Sequence, residues 1–220
     1  MIPLRDVIPS RTTPYITVTI ILLNAVAWFF ELTLSQGQFA SLVRAYGVVP
    51  ADLNPPTLVT SMFLHAGWAH VLGNMWYLWI FGDNVEDRLG HGRFILFYLL
   101  CGIAASIGQM LVNPTSTAPT IGASGAIAGV MGAYFVLFPK SRVLTLIPFI
   151  FIWDVIELPA IYLLGFWFLL QLFNAGAIAG MASAGGGGVA FAAHVAGFIT
   201  GLVGVFVFRR RAVSVWDDDQ

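Results

Sequence analysis

With 58% of its 220 residues hydrophobic, 10% charged and a mean hydropathy of +0.84, this chain has too little charge to cover a soluble domain of its size. Its net charge of −1 creates no field for nucleic acid or an acidic partner, and its single cysteine, Cys101, excludes an intramolecular disulfide framework. The composition fits an all-α polytopic membrane protein, read as one domain over 1–220 with no internal repeat.

In chain order, residues 1–14 carry Arg5 and Arg11 without an apolar stretch and small-residue cleavage site, and read as a short, uncleaved cytoplasmic segment. A membrane span needs about 20 apolar residues. Six segments meet or approach that length: 15–35, 58–82, 93–112, 124–139, 159–178 and 189–208. The connection 36–57 is long and holds Asn54-Pro55-Pro56. Asp83, Glu86, Asp87, Arg88, His91 and Arg93 read as a solvated cytoplasmic turn, and Asn113 to Thr120 as an uncharged outer loop. Val143 to Ile156 is apolar, but Pro148 and Asp154 interrupt it, and it reads as interfacial. Glu31, Asp154 and Glu157 also sit near boundaries. Gly185 to Gly188 form a hinge before the sixth span, and the tail 209–220 ends in solvated Asp217, Asp218 and Asp219. Of the ten basic residues only Arg44 falls opposite the rest, so both termini are expected in the cytoplasm. The absence of targeting extensions suits a multi-pass protein of a prokaryotic plasma (inner) membrane.

Polar side chains inside a span are costly, and each is a functional candidate. Ser124 lies about 24 Å of helix from Lys140, His194 about 22 Å from Arg209 and His70 about 20 Å from Asp83, with Asn74 one turn deeper. The four share one level near the outer surface. The fourth span starts only at that level, so the loop before it dips into the membrane zone, which requires protein or water around it. Gly125, Gly129 and Ala133, beside Ala128 and Gly132, give the fourth span a small-residue face. Gly197, Gly201 and Gly204 give the sixth another, and such faces let helices approach closely. Packing four against six brings the Ser124 hydroxyl to the His194 imidazole, a nucleophile with its general base. His70 and Asn74 share one helix face and can donate hydrogen bonds beside the Ser124 N–H, as an oxyanion site requires. His65 is expected to point elsewhere and to bond the outer loop. Ser106 and Gln109 are expected to bond other helices.

These residues resemble the rhomboid family of intramembrane serine proteases. The resemblance rests on Gly122-Ala123-Ser124-Gly125, on His70-Val71-Leu72-Gly73-Asn74 preceded by His65, on Glu86-Asp87-Arg88-Leu89-Gly90, and on Ala193-His194-Val195-Ala196-Gly197 followed by Gly201. It implies a six-helix rhomboid-like bundle in which Ser124 is the nucleophile and His194 the base of a dyad without an acidic third member. By the same resemblance His70, Asn74 and the Ser124 amide hold the oxyanion. It also implies a substrate that is a membrane protein with a helix-destabilised transmembrane segment, cut after small residues within the lipid bilayer. No metal, cofactor or nucleic acid is implied. Some family members place an aromatic four residues after the serine to pack on the histidine; here Ala128 stands there, so another side chain must orient His194. Many carry Trp-Arg in the first outer loop, where this chain has Pro56-Thr57, which leaves the anchoring of that loop open. Three other readings compete. A non-catalytic scaffold would bind membrane segments in the same groove. A metalloprotease would use His65, His70 and His194, but they lack the spacing of a zinc motif. A transporter would show paired broken helices in two related halves.

Overall fold

The computed structural model describes residues 1–149, 152–180 and 190–209. Helices α1 (Tyr15–Glu31), α4 (Trp68–Leu89), α5 (His91–Val112), α6 (Ser124–Leu137), α7 (Ala160–Gly180) and α8 (Phe191–Phe208) form a bundle. Two further helices, α2 (Gln36–Tyr46) and α3 (Thr57–Thr60), lie in the connection between α1 and α4. Within α5, α7 and α8, the stretches His91–Val112, Ala160–Ala177 and Phe191–Phe208 are long and apolar enough to cross a membrane, while α1 and α6 are shorter apolar helices. The Gly185 to Gly188 hinge and the Asp217 to Asp219 tail fall outside the described residues.

Helix α6 occupies the centre. Every residue from Gly125 to Tyr134 is buried, as a helix apolar all round must be. It contacts α8, α5, α4 and α7. The close approach to α8 comes from glycine. A Cβ on Gly201 would collide with the Gly129 backbone, and one on Gly197 with the Gly125 carbonyl oxygen. The expected small-residue seam between these helices is present. Gly204 is an exception: its Cβ position faces the Phe97 ring of α5 at 3.4 Å.

Two sequence-based expectations about charge change. Glu86 lies in no solvated turn: it is fully buried and accepts hydrogen bonds from the Ile16 and Thr17 N–H groups and the Thr17 hydroxyl at 2.9, 2.7 and 2.7 Å, with His91 Nδ1 at 2.6 Å. The start of α1 has no side-chain cap of its own, and the Glu86 carboxylate satisfies its free N–H groups from another helix. Glu31, read as a boundary residue, also has a partner inside the protein. It is buried and accepts the His65 N–H.

The second difference is β structure in a chain expected to be all-α. Strand β1 (Ile2–Asp6) pairs antiparallel with β2 (Arg142–Phe149), which pairs with β3 (Ile152–Pro159). The apolar stretch read as interfacial is therefore a hairpin. Its β-branched residues alternate, burying Val143 and Thr145. The N-terminal segment is its third strand.

Asp6 seats that strand, accepting from Asn84 Nδ2 at 2.8 Å and from the Tyr134 hydroxyl at 2.7 Å. Burial lifts the Asp6 carboxyl from its ordinary 3.8 to about 6, against the opposing hydrogen bond from Tyr134. Between those values the folded chain holds a proton that the unfolded chain releases. The contribution of Asp6 to stability is therefore greatest near pH 4 and is lost as pH rises through about 6. Thermal unfolding in detergent at pH 4 and pH 7 should show wild type losing stability relative to Asp6→Asn across that interval. An unchanged difference would contradict this account.

The second span also starts later than expected. Residues 58–67 are not its first turns. They form α3, a 3-10 turn (Ser61–Phe63) and an extended step at Leu64, and α4 begins at Trp68. The loop lacking Trp-Arg is anchored by backbone instead. Val48 and Thr120 exchange N–H···O bonds of 3.0 and 2.8 Å, Ala51 N–H reaches Ser116 O, and Thr60 Oγ1 reaches Tyr46 O at 2.8 Å.

Candidate active site

Ser124 is the first residue of α6, and the loop before it is held in place by main chain. Gly122 N–H donates to Ser61 O at 2.8 Å. Gly122 itself has φ +119°, a conformation that favours glycine, and a Cβ there would lie 2.6 Å from His70 Nε2. Any side chain at 122 would thus be strained and would evict His70. The first intrahelical bond of α6 runs from Ile127 N–H to Ala123 O, so the N–H groups of Ser124 and its next neighbours are helix-start donors.

The α6–α8 seam sets the central pair. Ser124 Oγ lies 2.8 Å from His194 Nε2. Ser124 is partly exposed, whereas His194 is 8% exposed. The second ring nitrogen, His194 Nδ1, lies 2.8 Å from Gln171 Oε1 on α7. One turn earlier on α7, the Trp167 ring sits 5.8 Å from the imidazole at 35°, and Phe191 approaches edge-on at 6.4 Å. These are the side chains that stand around His194 in place of an aromatic at 128. Ala128 is fully buried, with no room for one.

The four residues picked from sequence do converge. His70 and Asn74 both lie beside the Gly122 Cβ position, Asn74 Nδ2 at 3.7 Å. His70 Nδ1 accepts the Ala66 N–H at 3.3 Å, which puts the proton of the neutral ring on Nε2, the nitrogen that faces the chain just before Ser124. Among the described residues Asn74 Nδ2 is buried without a hydrogen-bond partner. His65 does not point elsewhere: its ring packs edge-on against His70 at 5.0 Å. Gln109 bonds another helix as expected, accepting the Ala193 N–H at 3.3 Å next to His194.

Sequence reasoning missed Gln171 and Trp167. Their signal was an amide in an apolar span, with an aromatic one helical turn before it. Among the described residues no group of three His, Cys, Asp or Glu side chains is placed to hold a metal ion.

Fold and site together define a multi-pass helical membrane protein with a serine and a histidine hydrogen-bonded between two glycine-packed helices. The rhomboid domain family model matches residues 54–211, and the chain belongs to the rhomboid family. It is 37% identical over 134 residues to the rhomboid homologue YdcA of Bacillus subtilis, covering 59% of this chain and 67% of that one. It is 32% identical over 167 residues to Rhomboid-like protein 11, chloroplastic, of Arabidopsis thaliana, covering 73% of this chain and 55% of the relative. It is 42% identical over 85 residues to the rhomboid protease GluP of Bacillus subtilis, covering 39% and 16%. The chain thus matches only about half of the Arabidopsis relative and less than a fifth of GluP.

Proposed function

We propose that this protein is an intramembrane serine endopeptidase working through Ser124 and His194. The observation that carries the reading is the 2.8 Å hydrogen bond between Ser124 Oγ and His194 Nε2. In the proposed reaction His194 Nε2 takes the hydroxyl proton as Ser124 Oγ attacks the scissile carbonyl. His70 Nε2–H, Asn74 Nδ2 and the Ser124 N–H donate to the oxyanion of the tetrahedral intermediate. His194 then gives the proton to the leaving amine, and an acyl-enzyme remains on Ser124. Water, deprotonated by His194, releases the acid product. The reaction uses no metal or cofactor.

The substrate class follows from where the site lies and from what a helix hides. An intact transmembrane helix keeps each carbonyl in its own hydrogen bond, so the segment cut has to be one that unwinds readily. We place six spans in the bilayer (α1, α4, α5, α6, α7 and α8), with both termini and the three-stranded sheet on the basic, cytoplasmic side of a plasma membrane. The partner is then a single-pass or multi-pass membrane protein with a helix-weak segment near the outer surface.

The test uses the purified chain in detergent and a model single-span substrate with a Gly/Ala-rich outer segment. Wild type should cleave it and should label with a fluorophosphonate at Ser124. If Ser124→Ala cleaved as well as wild type, the serine mechanism would be wrong. Function kept by a chain that neither cleaves nor labels would make the protein a membrane-segment-binding scaffold. Within the same assay, Asn74→Ala and His70→Ala should each lower kcat by roughly 100- to 1,000-fold, the loss typical of one oxyanion donor. Fluorophosphonate adducts should form more slowly on both. A change confined to KM would instead assign these residues to substrate binding.

A further inference from the structure

We infer that Gln171 is a positioning residue for the general base: its amide oxygen holds His194 in the tautomer and ring orientation that leave Nε2 free to take the Ser124 proton. This rests on the protease reading above and adds a third side chain to it, from a third helix.

Both ring nitrogens of His194 are engaged, Nε2 with Ser124 Oγ and Nδ1 with Gln171 Oε1, each at 2.8 Å. A carbonyl oxygen can only accept. With Oε1 toward the ring, Nδ1 must carry the proton and Nε2 keeps its lone pair for the serine. The opposite tautomer would present an N–H to Ser124 Oγ and could not act as a base. The same bond strengthens during the reaction, because an imidazolium donates more strongly than a neutral ring. An amide supplies this dipole without placing a carboxylate in a low-dielectric site, where a second ion is costly. Both side chains are almost fully buried, Gln171 9% exposed and His194 8%, so water competes little for the bond. Helix α7 makes the arrangement twofold. Trp167, four residues before Gln171 and on the same helix face, lies against the imidazole ring, while Gln171 takes its edge. The position of α7 is thereby read out as the protonation pattern of His194.

A buried glutamine bonded to a histidine could also be packing alone, and the test separates the two. Gln171→Met keeps length and flexibility but removes the acceptor; Gln171→Glu restores an acceptor oxygen. With the full chain and the same substrate, Gln171→Met should lower kcat roughly 10- to 100-fold with KM within about twofold. It should slow fluorophosphonate labelling of Ser124 by the same factor. Gln171→Glu should recover activity to within about tenfold of wild type. An unchanged kcat in Gln171→Met, a loss confined to KM, or a loss that Gln171→Glu does not reverse would overturn the inference. The chain has four histidines, so ring 15N spectra of the wild type report the His194 tautomer directly. A proton found on Nε2 of the resting enzyme would overturn the inference even if no variant folded. Ser124→Ala, run in parallel, tests the protease reading by itself: cleavage by that variant would sink the reading whatever Gln171 does.

Discussion

Ser124→Ala and His194→Ala are each expected to reduce cleavage by about ten-thousand-fold or more, the largest effects of any single change in this protein. The reason is that in the proposed mechanism the two groups act as one unit. Without the hydroxyl no acyl-enzyme forms, and without the imidazole the hydroxyl keeps its proton and remains a weak nucleophile. The double variant should therefore be no worse than either single one. Rates from a sensitive substrate assay, measured on all three proteins, check this. Losses that multiply in the double variant would show two independent functions. Neither change touches the glycine seam. Both variants should unfold near the wild-type temperature, which separates a chemical loss from a structural one.

The second large effect is structural. A Cβ at Gly201 would meet the carbonyl oxygen, carbonyl carbon and Cα of Gly129 inside van der Waals contact. Backbone cannot rotate out of the way as a side chain can, so α6 and α8 have to separate. Gly201→Ala should cost about 1–3 kcal/mol or more, the usual range for overpacking, despite the better helix propensity of alanine. Because Ser124 rides on α6 and His194 on α8, the same separation lengthens the 2.8 Å bond between them. Activity should fall together with stability. Gly176→Ala on α7 is the matched control: no atom of the described residues lies within 4 Å of its Cβ position. It should be neutral, or gain slightly from propensity. Thermal unfolding and cleavage by both variants decide the matter, and a Gly201→Ala protein as stable and active as wild type would refute the seam argument.

The parts legible in the sequence share one property: their signals are local. Apolar runs of about 20 residues announce helices at membrane depth. Helix rise alone places Ser124, His194, His70 and Asn74 at one level, and glycines at helical spacing show which faces touch. In the structure Ser124 and His194 share a hydrogen bond, and His194 and Asn74 are buried. The unread parts depend on pairing between distant segments. β1 is five residues of no special composition, and it becomes a strand because β2 offers it an edge. Glu86 looks solvated beside Asp87 and Arg88. It is buried because α1, some seventy residues earlier, starts its helix with N–H groups that need a partner.

The sequence by itself determined that this is a helical membrane protein of rhomboid type, and which serine and which histidine face each other. Hydropathy, charge bias and helix periodicity suffice for the membrane helices and the facing pair, and the motifs around Ser124, His70, Glu86 and His194 carry the resemblance to the family. Only the tertiary structure decided what holds the histidine. Gln171 and Trp167 are ordinary residues of an apolar helix until α7 is laid against α8. No local pattern encodes that contact, because it is a matter of rotation and depth between two helices. There the 2.8 Å bond to Nδ1 and the ring at 5.8 Å appear together.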